Sequence, residues 1–103
     1  MSFVDMAVDR LKRELERSAE AAGCTIDFIG EGSGPVNHPR YDRVDHSFSM
    51  QVEGPANNAW LDTLDDDALY VPGFVLVDLD VYNIEASGSG VIADLSVTTV
   101  REA

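Results

Sequence analysis
The chain has 103 residues, 45% of them hydrophobic, and carries 19 acidic side chains against seven basic ones for a formal charge of −12. That length fits one domain over residues 1–103, the hydrophobic share excludes a disordered polyanion, and no apolar run approaches the ~20 residues of a membrane span. The lone cysteine, Cys24, excludes an intrachain disulfide and a cysteine-based zinc site.

Ser2 is placed to cap a first helix, with Asp5 three residues on. Val4, Ala7, Val8, Leu11, Leu15, Ala19 and Ala22 recur at helical spacing as one apolar stripe. Asp9 with Arg13, and Lys12 with Glu16, are spaced as i, i+4 pairs on the other side, and Gly23 ends the helix. Cys24 to Ile29 reads as a strand with Cys24, Ile26 and Phe28 on one face. Residues 30–42 hold three glycines and two prolines and are expected to form a long loop.

Arg43 to Glu53 alternates Val44, His46, Phe48, Met50 and Val52 with polar residues, the pattern of a strand with one buried and one wet face. After Gly54-Pro55, Asn57 or Asn58 is expected to cap a short helix carrying Trp60, Leu61, Leu64 and Ala68. Three anions at its C-terminus, Asp65–Asp67, oppose the helix dipole, so it should end between Leu64 and Leu69. Pro72-Gly73 is a further break. Phe74–Glu85 and Val91–Arg101 read as long strands joined by Ala86–Gly90 in a hairpin. In the last strand Val91, Ala93, Leu95 and Val97 face one way, and Asp94, Ser96 and Thr98 the other. The order αββαββ with hairpin-like links predicts an α+β two-layer sandwich, a four-stranded and mainly antiparallel sheet covered on one face by two helices.

Chemical signatures are sparse. Gly30–Pro35 has neither the spacing of a phosphate loop nor that of a nucleophile elbow, so Ser33 is given no nucleophilic role. Asp78 and Asp80 share a strand face, a geometry able to hold a divalent cation, but on a half-exposed strand they read as the wet face, and Asp65–Asp67 as a solvated turn. His46 points to the apolar side and reads as structural, His38 sits in the loop, and no metal-ligand spacing joins them. Cys24 reads as a small core residue. No catalytic residue, metal ligand or cofactor is expected, and the chain reads as a non-enzyme. The excess of anions disfavours direct nucleic-acid binding, which runs on Lys and Arg, and the helix lacks the basic face of a membrane-surface helix.

Twelve of the acids are Asp and Lys12 is the only lysine. So large a net charge disfavours compaction, and salt relieves it, the screening length falling to roughly 3 Å at 1 M. Asp enrichment with near-absence of Lys resembles the proteins of salt-in halophiles, haloarchaea above all, and implies folding in molar salt.

The helix over Phe3–Ala22, the strand, the Gly/Pro-rich stretch and a sheet whose final hairpin spans Phe74–Arg101 are together similar to the small tail-terminator and head–tail joining proteins of tailed viruses. The similarity covers most of the chain through element order, size and loop placement, with no diagnostic motif. It implies a structural subunit of a homo-oligomeric, sixfold ring stacked on other virion proteins, in a virion assembled in the host cytoplasm. Residues 30–42 or 86–90 would make the contacts, with Arg40, Arg43 and Arg101 bridging to acidic neighbours and His38 and Tyr41 beside them. The alternative is a small cytoplasmic ligand-binding or enzymatic domain with a pocket lined by Cys24, His46, Trp60 and Tyr82. A deep pocket with His46 or Cys24 at its mouth would favour ligand chemistry. A filled core with apolar side chains stranded outside the last hairpin would favour assembly.

Replacing several scattered Asp by Asn should lower the salt concentration needed to fold, read by circular dichroism across a KCl series. Equal melting temperatures of the unmodified chain at about 50 mM and about 3 M salt would contradict the reasoning from charge.

Overall fold
A computed structural model of the chain describes residues 2–37 and 40–102. Helix α1 spans Phe3–Ala21, strands β1 and β2 span Thr25–Val36 and Arg43–Glu53, helix α2 spans Asn57–Thr63, and strands β3 and β4 span Phe74–Ser87 and Gly90–Arg101. The strands form one antiparallel sheet in the order β1-β2-β4-β3, so β1 and β3 are the edges. The fold is the expected α+β arrangement, with α1 packed on β1 and β2.

Helix α1 begins as its sequence requires: Ser2 Oγ accepts the Asp5 backbone N–H at 3.2 Å. It ends where Gly23 turns left-handed at φ +82°. Ala7, Leu11, Leu15 and Ala19 are the buried stripe. Asp9 and Arg13 pair at 3.2 Å. Lys12 leaves Glu16 and reaches across to Glu31 of β1 at 3.1 Å, its ammonium 4.9 Å from the Phe28 ring centroid. A half-buried lysine beside the sheet edge gains both an anion and an aromatic face that Glu16, on the solvent side, does not offer.

The inner sheet face is built by alternation. Val44, His46, Phe48, Met50 and Val52 of β2 stand beside Val91, Ala93, Leu95, Val97 and Thr99 of β4, all buried. Phe28 and Phe48 meet at 5.5 Å between centroids. Helix α2 adds Trp60 and Leu61 to this core, and the following segment adds Leu64 and Val71. Two polar contacts fix that cover to α1: the Trp60 indole N–H donates to Ser18 Oγ at 2.9 Å, and Arg10 Nη1 donates to the Pro72 carbonyl at 2.7 Å while stacking over Phe74.

Three expectations are corrected. Residues 30–36 are strand, not loop, leaving only 37–42 as the connection to β2. Glycine accepts extended backbone readily, and Pro35 is tolerated because β1 is an edge. A bulge between Phe28 and Gly30 shifts the register by one, which the sequence pattern alone does not announce. Helix α2 is not capped by an asparagine side chain: Ala56 is the N-cap, and Asn57 Oδ1 accepts the Asn58 N–H within the first turn. It stops at Thr63, so Ala68 lies outside it and is exposed. The last hairpin is tighter than expected, with β3 running to Ser87 and β4 starting at Gly90 around Gly88 at φ +58°.

Gly90 is held by space, since a Cβ there would run into the Val52 carbonyl and the Glu53 side chain, whereas a Cβ on Gly34 would meet nothing. Gly90→Ala should therefore cost about 1–3 kcal/mol. Gly34→Ala should be neutral or slightly stabilising through the unfolded chain. Melting curves of both variants in molar KCl check the contrast.

Candidate interaction surface
The outer face of the sheet, opposite the helices, crosses the four strands in rows set by the registers. Val36, Arg43, Val100 and Val75 form one row, followed by Gly34, Asp45, Thr98 and Asp78, and then by Gly32, Ser47, Ser96 and Asp80. Asp78 and Asp80 thus share the outer face with short polar neighbours. Among the described residues no group of three or more potential metal ligands gathers.

The first row is different in kind. Bulges between Leu76 and Asp78, and between Val81 and Asn83, break the alternation of β3. The first adds Val77 as an extra residue at this end of the sheet. Val75, Val77 and the nearby Tyr41 are each at least half exposed. Tyr41, Arg43, Val77, Asp78, Thr98 and Val100 line a shallow groove of about 250 Å³. Arg43 Nε donates to Asp45 Oδ1 at 3.2 Å, and Thr98 Oγ1 donates to the same oxygen at 3.1 Å. The guanidinium is thereby tethered at the rim of the valines. Such an exposed ion pair adds little stability, but it holds a cation at the rim of an apolar corner on the outer face.

Of the residues singled out from sequence, Tyr41 and Arg43 meet in this groove. Arg101 lies at the same end, its guanidinium 3.6 Å from Asp42 and its backbone N–H donating to the Asp42 carbonyl at 3.0 Å. Arg40 is exposed in the connection between β1 and β2. His38 lies outside the described residues. Sequence reasoning missed Val75, Val77 and Val100. The available signal was the unbroken apolar run Phe74–Val77, which puts hydrophobic side chains on both faces of a strand.

Farther along the outer face, Asp94 accepts from Ser49 Oγ at 2.5 Å and from Asn83 Nδ2 at 3.0 Å. These hydrogen bonds, that of Ser49 foremost, hold its carboxyl below the usual carboxylate range.

On the inner face, His46 is 3% exposed and lies between two hydroxyls, Ser33 Oγ at 2.9 Å from Nδ1 and Thr99 Oγ1 at 2.9 Å from Nε2. Its ring stacks on Phe48 at 6.0 Å and 11°. Burial pushes its pKa down to about 4, against a smaller upward pull from Asp45. A Ser–His contact of this length is the spacing of an activated nucleophile. However, an imidazole with so low a pKa is a poor base near neutral pH, and its second nitrogen faces a hydroxyl where hydrolytic triads place a carboxylate. The arrangement instead ties three strands together, since Ser33, His46 and Thr99 belong to β1, β2 and β4. Cys24 and Trp60 are equally buried, while Tyr82 is exposed on the edge strand, so the four residues expected to line a pocket are not gathered at an open mouth.

No protein-family model matches this chain, and no curated protein matches it in sequence. No described helix is long and apolar enough to cross a membrane.

The low pKa of His46 makes stability depend on pH with a definite sign. Unfolded, the imidazole takes a proton near 6.5, and folded only near 4. The stability it contributes is therefore complete above about pH 6.5 and is lost as the pH falls toward 4. In constant molar KCl, the wild type should lose roughly 3 kcal/mol more than His46→Gln between pH 7 and pH 4. The carboxylates titrate in both chains and cancel in the difference, which denaturant titrations measure.

Proposed function
We propose that this chain is a non-enzymatic structural subunit of a homo-oligomer working in molar salt, and that the assembly is the ring of a tail-terminator or head–tail joining protein of a halophilic tailed virus. The observation that carries the assembly reading is the corner formed by Tyr41, Val75 and Val77, each at least half exposed, with Val100 and Arg43 beside them, on a sheet face whose next two rows are Gly, Asp, Ser and Thr. Contiguous exposed apolar surface rimmed by polar groups marks interaction sites, and a tethered arginine beside it suits an interface. The packed interior around His46, Cys24 and Trp60 supports the same reading over a ligand-binding one. Element order and the position of the last hairpin support the viral ring in particular. In that ring the corner meets a neighbouring subunit, and Arg40 and Arg101 at the same end face the acidic surfaces of other virion proteins.

Light scattering and negative-stain imaging in about 3 M KCl should show closed rings. Val77→Asp, which places a carboxylate beside Asp78, should reduce them to smaller particles with unchanged circular dichroism. A wild-type monomer under those conditions, absent from purified virion fractions, would sink the proposal.

A further inference from the structure
Strand β3 is 14 residues long, lies on a sheet edge and contains neither lysine nor proline, two devices by which natural edges resist pairing with another chain. Its first part is broken by the two bulges. Beyond the second, the ladder runs regularly from Asn83 to Ser87, and every residue from Tyr82 to Ala86 is exposed. Ile84 is the informative one. It stands opposite Ala93, a fully buried residue of the inner face, yet is 43% exposed. The apolar inner face therefore continues past the helical cover to a free edge. The other edge is defended differently, because β1 carries Pro35, and Glu31 held by Lys12 beside the half-buried Phe28.

Charge selects what can pair there. On a chain of charge −12, strand pairing with another copy is tolerable only in a register that keeps carboxylates from facing each other. With Ile84 opposite Ile84 in an antiparallel pair, Asn83 faces Glu85 in both directions, and both are outer-face residues. The bulged Tyr82 and Val81 then fall together against Ala86, and Asp80 falls against Ser87 at the turn. No carboxylate opposes another, and the two inner-face isoleucines extend both cores across the junction.

We infer that a second copy of this chain adds to the free edge of β3, antiparallel and centred on Ile84, joining two four-stranded sheets into one across a twofold axis. This contact is on the sheet edge and not at the apolar corner, and shares with the ring reading only the premise that copies associate. Under mild oxidation Ile84→Cys should give a disulfide-linked dimer in severalfold higher yield than Tyr70→Cys, an exposed position beside the opposite end of β3 from Ile84, with the wild type as blank because Cys24 is buried. Ile84→Lys should halve the particle mass in light scattering with circular dichroism unchanged. Equal cross-linking at the two positions, or an unaltered mass for Ile84→Lys, would overturn the inference. Introducing Val77→Asp should leave the cross-link of Ile84→Cys in place, so loss of the corner contact and loss of the edge contact are read separately.

Discussion
The pairing of β2 with β4 at the centre of the sheet is the constraint on which the rest of the molecule depends. Its register puts Phe48 beside Leu95 and Met50 beside Ala93 on one face, and Ser49 beside Asp94 and Asp45 beside Thr98 on the other. A slip of one residue would exchange the two faces, turning Asp45 and Asp94 into the core and Phe48 into solvent. Ten inward positions are thereby fixed before either helix docks. Helix α1 then needs only its narrow stripe of Ala and Leu to close the layer, and the polar contacts of Ser18 with Trp60 and of Arg10 with Pro72 position the remaining cover. His46 belongs to the same design. It occupies an apolar slot of β2, and its two nitrogens are satisfied by the hydroxyls of the flanking strands, so its burial leaves no unmet polar group.

The elements with strong periodicity were legible in the sequence: α1 through its stripe, cap and terminal glycine, and β2 and β4 through strict alternation. What misled was chemistry that does not decide conformation by itself. Gly30, Gly32 and Gly34 read as loop because glycine is the usual residue of turns, yet none has the positive φ that would demand it. Pairing with β2 supplied the order that local propensity withheld. The bulges were invisible because a bulge changes which face a residue takes without changing composition, so Val77 could not be placed from alternation around Asp78 and Asp80.

The candidate surface was half legible for the same reason. Arg43 and Tyr41 were drawn from the connection into β2, and the fold does bring them together, with Arg101 at the same end. The valines that give the surface its apolar character come from the edge strand and the last turn of the ladder, and only tertiary register reveals that Val36, Val75 and Val100 share a row with Arg43. Conversely, the Ser33–His46 contact joins residues 13 apart that sequence reasoning had assigned to different structural types, one to a loop and one to a strand.

The last hairpin has a mechanical consequence. Fourteen residues at about 3.3 Å each reach at most roughly 46 Å, and the molecule's longest dimension is 44 Å, so the β3–β4 hairpin spans most of that length. Tension applied along that axis is shared by the cross-strand amides all at once in shear, whereas a pull across it would unzip them singly. The subunit is thus a stiff strut lengthwise and a compliant one sideways.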